Sequence, residues 1–390
     1  MEGEKLCRKV LILVFVWYVM KKSVMKKVVF EEPKKLQSWM KLIVFLYLFI
    51  FSIELIKKTS LLLAPILNDF LFDGLNPFKA ICVGWFTTSI TQSSGAIGSV
   101  VAAFTGNLLI DLPTAVYILI GASLGSTIMT LIISLIIVSV KRRDFRHGFE
   151  IGLCYAIYSA LLIPIVVFLE YFFGFFSKTS LFLAGFLQKG ISIINVPDFV
   201  GIITNPLIDK FILFENKIIL LIFALIILLF TLKYIGGSII GVLGGEYKTR
   251  RFMNKYFESK YKSYFLGVFL TAVVFSSGIT VGLLVPLAVS RVVNLKKSIP
   301  FILGADLGTI TDVFLASVIL NQVSALAAAI AYGLFAVVGA LIFLPNTEFL
   351  FKVTKYTSKK LMGISRKKAL YVLIILILIP LGVLMFFWWG

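Results

Sequence analysis

The sequence is poor in the residues that build disulfides, metal sites and acid–base centres. It has three cysteines, Cys7, Cys82 and Cys154, and their scatter and odd number indicate neither a disulfide framework nor a cysteine metal site. Its one histidine, His147, adjoins a basic run and is typical of a solvated loop residue. The sequence shows no nucleophile–base pair, metal-ligand cluster or nucleotide loop. We therefore predict a protein that is not an enzyme and that needs no cofactor or resident metal.

Acidic residues are also scarce: the chain has 19 Asp and Glu but 38 Lys and Arg, which gives a net charge of +19. Such a balance can indicate nucleic-acid binding, but the basic residues stand in short runs between apolar blocks, at 21–35, 141–146, 246–262 and 352–368. Short basic loops beside apolar segments mark the cytoplasmic side of a membrane, and they attract anionic headgroups. We therefore expect the lipid bilayer, and no nucleic acid, as a partner, in the cell membrane with the N-terminus in the cytoplasm.

Apolar residues make up 59% of the chain, and the mean hydropathy is +1.02. Soluble domains are nearer to half apolar. Blocks such as 211–232 are long enough to cross a hydrocarbon core of about 30 Å. The composition predicts an all-α polytopic membrane protein, with spans near 41–56, 113–140, 148–173, 211–234, 297–320, 324–345 and 369–389.

Two polar motifs each occur twice along the chain. FTTSITQSSG at 86–95 matches FLTAVVFSSG at 269–278, and ILIGASLGS at 118–126 matches FILGADLGT at 301–309. Both pairs are separated by the same 183 residues (86 to 269 and 118 to 301). Gly84 also matches Gly267, and Thr88 matches Thr271, at that offset. The agreement predicts an internal duplication.

The basic runs predict how the two copies are oriented. If all four runs are cytoplasmic, segment 79–108 begins and ends outside, whereas 263–291 begins and ends inside. The two copies are then inverted-topology repeats, each with a re-entrant helical hairpin, provided that 60–73 does not span. The predicted organisation is a basic, amphipathic N-terminal segment, a first repeat, an amphipathic connector, a second repeat, and a basic loop with a last transmembrane helix, at 1–40, 41–173, 174–210, 211–345 and 346–390.

The hairpin tips are the candidate substrate site. Non-helical backbone at membrane depth is tolerated only where it is buried in protein or lines a cavity. A half-helix that starts at such a tip offers free N–H groups and the positive end of its dipole to an anion. Two tips that meet make a central site, as in inverted-repeat transporters; the alternative is that the small residues only permit close packing. The predicted substrate residues are Gln92, Ser93, Ser94, Gly95, Ser276, Ser277 and Gly278.

GASLGST at 121–127 and GADLGTI at 304–310 are the candidate ion-coupling elements, each on a glycine-interrupted transmembrane helix. Paired glycines permit either close packing or local unwinding that frees oxygens for Na⁺. Carboxylates within a span are functional candidates, as Na⁺ ligands or proton carriers, unless they lie near a membrane surface. Asp306 and Asp312, six residues apart, fall on different faces of a helix. The predicted ion-coupling residues are Thr88, Ser123, Ser126, Thr127, Asp306, Thr309 and Asp312.

At these motifs the chain resembles the Na⁺/phosphate cotransporter family, in its type II and bacterial members. That family carries Gln-Ser-Ser-Ser in each of two inverted repeats, and each is followed by a Gly-Ala-Asn-Ile-Gly-Thr-Thr-like motif. The resemblance covers about 79–134 and 263–317, and it implies re-entrant tips that bind phosphate and Na⁺. Carried over to this chain, the tip residues would be Gln92, Ser93, Ser94, Ser276 and Ser277.

The chain departs from the family pattern at both copies. The third serine is Gly95 in the first copy and Gly278 in the second. The second glutamine is Phe275, which has no polar atom for an ion. The asparagine is Ser123 in the first copy and Asp306 in the second. These changes affect the expected substrate more than the expected fold.

The leading hypothesis is a secondary active transporter that couples the movement of inorganic phosphate to a cation, Na⁺ in preference to H⁺. One alternative keeps the fold and moves another small anion, or a cation held by Asp306 and Asp312. A second alternative is a non-transporting membrane scaffold. A homodimer is left open.

Overall fold

The computed structural model describes residues 35–63, 75–137, 145–193, 199–213, 215–242, 257, 259–289, 291, 293–362 and 379–380. All of the longer regular elements in these residues are α-helices. In chain order they are α1 (Lys35–Leu62), α2 (Pro77–Thr91), α3 (Ser94–Gly106), α4 (Leu112–Ile137), α5 (Phe145–Phe173), α6 (Phe175–Ile193), α7 (Phe199–Ile212), α8 (Lys217–Val242), α9 (Lys260–Val274), α10 (Ser277–Gly282), α11 (Leu284–Val289), α12 (Leu295–Gly308), α13 (Ile310–Leu320), α14 (Val323–Phe343) and α15 (Thr347–Met362).

Four stretches of the described chain are long and apolar enough to cross a membrane: Gln37–Leu62, Arg146–Phe173, Leu295–Leu320 and Val323–Phe343. They correspond to the spans predicted near 41–56, 148–173, 297–320 and 324–345. Shorter apolar helices include Ser94–Gly106, Leu112–Ile128 and Lys217–Thr231. The prediction of an all-α membrane protein is confirmed at this level.

The span predicted near 211–234 has shifted boundaries in the structure, because a helix boundary falls inside it. α7 ends at Ile212, and α8 begins at Lys217. The side chain of Asn216 accepts a hydrogen bond from the backbone N–H of Ile219, at 3.1 Å, which is the contact that starts a helix. α8 then continues to Val242, beyond the predicted end.

The predicted connector at 174–210 contains α6 and α7. Phe176 and Ala184 of α6 are fully buried, and the ring of Phe176 packs edge-on against Phe335 of α14, with centroids 4.7 Å apart. Gln188 contacts Asn321 at 3.2 Å. The first helix of the connector, α6, therefore packs along α14, whereas α7 lies against α1, where Lys58 donates to Asn205 at 2.9 Å. Residues 1–34, most of 60–73 and most of the predicted last span at 369–389 lie outside the described residues.

Glycines bring α2 into backbone contact with α4, and α9 into backbone contact with α12. A Cβ atom at Gly84 would overlap the carbonyl oxygen of Ile118, and one at Gly121 would overlap that of Ile81. The second copy repeats this reciprocity, since Gly267 meets the Phe301 carbonyl and Gly304 meets the Tyr264 carbonyl. Small residues of this kind let helices approach closely in a membrane. α2 is thus held against α4, and α9 against α12.

Candidate functional site

The chain breaks between α2 and α3 at Gln92 and Ser93. Gln92 ends α2 in the left-handed conformation, with φ 56° and ψ 27°. Ser93 is extended, and its hydroxyl accepts from the backbone N–H of Ala96 at 3.2 Å, which caps α3. This pair, called the first break from here on, turns two adjacent polar residues into the end of one helix and the start of the next.

The chain breaks in the same way between α9 and α10, at Phe275 and Ser276, the second break. Phe275 has φ 57° and ψ 27°, nearly the values of Gln92. The hydroxyl of Ser276 accepts from the backbone N–H of Ile279 at 3.2 Å. The left-handed conformation costs a residue other than glycine about 1 kcal/mol or more, so it occurs where the surrounding structure imposes it. Its appearance at both matched positions extends the duplication from sequence to backbone geometry.

The two breaks meet at one small polar cavity. Its free space is about 10 Å³, roughly what a single water molecule needs. None of the residues that line it carries a charged side chain. They are Gln92, Ser93, Ser94, Gly95, Ser126, Phe275, Ser276, Ser277, Gly278 and Thr309.

The positive character of this cavity comes from backbone. In α3, the Ala96 N–H is taken by the Ser93 hydroxyl, and the Ile97 N–H is taken by the Ser93 carbonyl. The N–H groups of Ser94 and Gly95 therefore have no acceptor inside their helix. In α10, the hydroxyl and the carbonyl of Ser276 accept from the N–H groups of Ile279 and Thr280. The N–H groups of Ser277 and Gly278 therefore also have no acceptor inside their helix. Both pairs line the cavity, which gives it donors suited to an anion.

The predicted substrate residues are all brought together, because each of the seven lines the cavity. Of the predicted ion-coupling residues, only Ser126 and Thr309 line it. The other five do not line the cavity: Thr88, Ser123, Thr127, Asp306 and Asp312. None of these placements tests a role in binding.

The glycines of the first copy do not interrupt their helix, which corrects that part of the prediction. α4 runs unbroken from Leu112 to Ile137. Ser126 donates to the Ser123 carbonyl at 2.7 Å, and Thr127 donates to the Leu124 carbonyl at 2.8 Å. These carbonyls stay inside the helix and are not freed for an ion. The glycines serve close packing against α2 instead.

In the second copy the helix is locally distorted at Thr309, which keeps right-handed helical angles (φ −65°, ψ −19°), so Leu295–Leu320 remains one apolar stretch. α12 ends at Gly308, and the Thr309 N–H reaches the Asp306 carbonyl at 3.3 Å before α13 begins at Ile310. The two predicted carboxylates then face different neighbours, as their spacing predicts. Asp306 faces tyrosines of α5, and Asp312 faces Gly95 of α3.

Asp312 is fully buried and only partly satisfied. Its Oδ1 accepts the N–H of Val313 at 2.8 Å, whereas its Oδ2 has no hydrogen-bond partner in the described structure. That oxygen lies where a Cβ atom on Gly95 would be. An unpaired carboxylate oxygen in a buried position is costly, and a bound proton or cation would relieve that cost.

Asp306 is held by two tyrosines that the sequence prediction missed. Tyr155 reaches its Oδ1 at 3.1 Å, and Tyr158 donates to its Oδ2 at 3.0 Å. The Tyr155 hydroxyl also lies 3.2 Å from the Ser277 hydroxyl and 3.4 Å from that of Ser126. Aromatic residues are common in apolar helices, so two tyrosines three apart gave no signal in one sequence.

Thr88 and Thr271 occupy equivalent buried positions one turn before the breaks. Both hydroxyls are buried, and neither has a hydrogen-bond partner among the residues that the structure describes. A Cβ atom on Gly125 would lie 2.7 Å from the Cβ of Thr88, and one on Gly308 would lie 2.7 Å from that of Thr271. Only Thr88 was predicted as an ion-coupling residue, although Thr271 is its match at the 183-residue offset.

Two stretches of the chain, residues 48–196 and 215–365, match the family model described as Na⁺/Pi-cotransporter. The chain belongs to this family. The first stretch contains the first break, and the second contains the second break and the paired carboxylates. The suspected family resemblance is confirmed.

The chain is similar to sodium-dependent phosphate transport protein 2A of Ovis aries, with 27% identity over 180 residues. It is 26% identical over 180 residues to protein 2A of Rattus norvegicus. It is 25% identical over 183 residues to protein 2B of Homo sapiens. These alignments cover 45% of this chain but only 28%, 28% and 26% of the relatives, less than a third of their length. No solved structure matches the chain significantly.

Proposed function

We propose that the chain is a secondary active transporter that moves inorganic phosphate across a membrane together with Na⁺. The observation that carries the proposal is the cavity between the two breaks. Four backbone N–H groups without helical acceptors and the serine hydroxyls converge there, and no charged side chain lines the cavity. Phosphate oxygens need several donors at once, and backbone donors supply them without a fixed positive charge.

The proposal includes two inverted repeats whose broken helices enter the membrane from opposite sides. The 183-residue offset, the matched left-handed residues at 92 and 275, and the two family-matched stretches support it. In such transporters the site lies at the interface of the repeats. With about 10 Å³ free, the cavity of this conformation is too small for phosphate, so transport requires the two breaks to move apart.

Uptake into vesicles tests the function. The purified full chain is reconstituted, and labelled phosphate uptake is measured with an inward Na⁺ gradient, with a K⁺ gradient of the same size, and with a proton gradient. We expect uptake with Na⁺ to exceed uptake with K⁺. Movement of sulfate or an organic acid without any movement of phosphate would refute phosphate as the substrate.

A second candidate function, transport of a cation held by Asp312, is favoured by the unpaired Oδ2 of that residue. It predicts cation uptake without phosphate in the same vesicles, and loss of that uptake in Asp312→Asn. Cation uptake that requires phosphate would instead support the cotransport proposal.

A further inference from the structure

The hydroxyl of Tyr155 is a junction between the cavity and a buried carboxylate. It lies 3.1 Å from Oδ1 of Asp306 and 3.2 Å from Oγ of Ser277, a residue that lines the cavity. A tyrosine hydroxyl has one proton to donate. Tyr155 can therefore donate to Asp306 or to Ser277, but not to both.

The surroundings of Asp306 decide which of the two receives the proton. Each of its oxygens faces one tyrosine hydroxyl, Tyr155 at Oδ1 and Tyr158 at Oδ2. Two donors on two oxygens is the arrangement that an ionised carboxylate requires, since it only accepts. Hydrogen bonds to an ionised acceptor are stronger than neutral ones. The proton of Tyr155 is therefore directed to Asp306.

We propose that Asp306, acting through Tyr155, fixes the direction of the Ser277 hydroxyl. With its own proton on Asp306, the Tyr155 oxygen accepts from Ser277, so the chain of donors runs from Ser277 to Tyr155 to Asp306. The lone pairs of Ser277 then face the cavity, where they favour a cation. An anion that takes the Ser277 proton must first break this chain. Asp306 and Tyr155 are thus positioning residues that bias the second break towards cations, an inference that rests on the proposed transport function.

Asparagine at position 306, the residue of the family motif, would reverse the direction of these hydrogen bonds. An amide presents one acceptor and one donor group to the two tyrosines. Tyr158 has no second acceptor within hydrogen-bond distance in the described structure, whereas Tyr155 has Ser277 and Ser126. The amide oxygen at position 306 would therefore accept from the Tyr158 hydroxyl, and the amide N–H group would donate to the Tyr155 oxygen. Tyr155 then donates to Ser277, and the Ser277 proton turns to the cavity and to an anion.

Three variants of the full chain test the inference: Asp306→Asn, Tyr155→Phe and Tyr158→Phe. One hydrogen bond corresponds to about a fivefold change in affinity. We expect Asp306→Asn to lower the half-saturating phosphate concentration by about fivefold and to raise that for Na⁺ by a similar factor. Tyr155→Phe, which breaks the chain, should shift the two ligands in the same directions. Tyr158→Phe is the matched control, because it removes the other hydroxyl on the same carboxylate without touching Ser277, so the ratio of the two concentrations should stay at the wild-type value.

Ligand-dependent thermal stabilisation, measured with Na⁺ alone and with phosphate alone, gives a readout that needs no transport. Equal shifts in Tyr155→Phe and Tyr158→Phe would overturn the inference, as would unchanged affinities in Asp306→Asn. A wild-type chain that neither moves phosphate nor is stabilised by it would overturn the proposed function. The Na⁺ comparison among the variants would then still decide whether Asp306 directs Ser277. Asp306→Asn is nearly isosteric, and Tyr155→Phe provides an independent variant if the first one folds poorly.

Discussion

The carboxylate of Asp312 fills the space in which a side chain at Gly95 would begin. The two residues are 217 positions apart, on α13 and α3, and α13 packs against α3 beside the first break. This contact explains why glycine stands where the family motif has its third serine. With Asp312 in this position, residue 95 has no room for a side chain.

Gly95→Ala should destabilise the protein by about 1–3 kcal/mol, the usual cost of overpacking a buried site. The new Cβ displaces Asp312, so Gly95→Ala combined with Asp312→Ala should recover most of that loss. Thermal unfolding of the two single variants and the double variant gives the coupling between them.

Gly185→Ala is the matched control for that cycle, because nothing lies within 4 Å of a Cβ atom there. It should be neutral or slightly stabilising, as alanine favours a helix. If the destabilisations caused by Gly95→Ala and Asp312→Ala are simply additive, contact with Asp312 does not restrict the size of residue 95.

Ser93 has two roles in the structure that substitution can separate. Ser93→Ala removes the hydroxyl from the cavity and also the cap of α3, at a cost of about 1 kcal/mol. Ser93→Gly removes the same hydroxyl but costs only a few tenths of a kcal/mol as a cap. We expect both variants to weaken phosphate uptake to a similar degree, while only Ser93→Ala lowers the melting temperature clearly. Wild-type uptake kinetics in Ser93→Gly would rule out a direct role of this hydroxyl.

Phe275→Gln should restore a polar side chain at the second break. Its backbone has the conformation that Gln92 already adopts in the first break, so glutamine requires no change of backbone conformation. One added hydrogen bond predicts an affinity for the transported ion that is higher by about fivefold, measured as half-saturation of uptake. Phe275→Leu adds no polar atom and should show no gain. A lower affinity in Phe275→Gln would mean that the Phe275 ring itself is needed in the cavity.

The buried carboxylate of Glu150 links α15 to α5 through ion pairs with two partly exposed cations. Its carboxylate, 1% exposed, accepts from Lys355 at 2.6 Å, Arg146 at 3.0 Å and Ser358 at 3.3 Å. Glu150→Gln removes the charge that binds both cations, and because those cations are partly exposed it should cost about 1–3 kcal/mol, the range for lost hydrogen bonds to a charged group. Lys355→Gln leaves Arg146 on the carboxylate and should cost clearly less. Thermal unfolding of the two variants checks this order; equal losses would contradict the role assigned to Arg146.

The sequence predicts the cavity well because its signal is local. A polar break in an apolar segment is visible in TQSSG and again in FSSG, and the constant offset pairs the two. The hydroxyls of Ser93 and Ser276 then cap the helices that follow, as a serine before a helix ordinarily does. All seven predicted substrate residues accordingly line one cavity.

Contacts between distant elements could not be predicted in the same way. Tyr155 and Tyr158 belong to an ordinary apolar helix, and nothing in their spacing points to Asp306, some 150 positions later. The glycines at 121 and 125 are ambiguous in sequence, because close packing and unwinding need the same residue. The neighbouring helix distinguishes the two: Gly121 packs against the Ile81 carbonyl of α2, and α4 stays continuous. The boundary at Asn216 was missed because apolar residues continue on both sides of it.

The glycine contacts between α2 and α4, and between α9 and α12, have a mechanical consequence. Two helices whose backbones touch at several levels cannot slide or tilt against each other without a steric clash. The helix before each break, α2 or α9, is therefore held to α4 or α12 as one unit. If the proposed transport function holds, distance labels placed within either unit should report a constant separation, while labels on the two different units should report any opening between them.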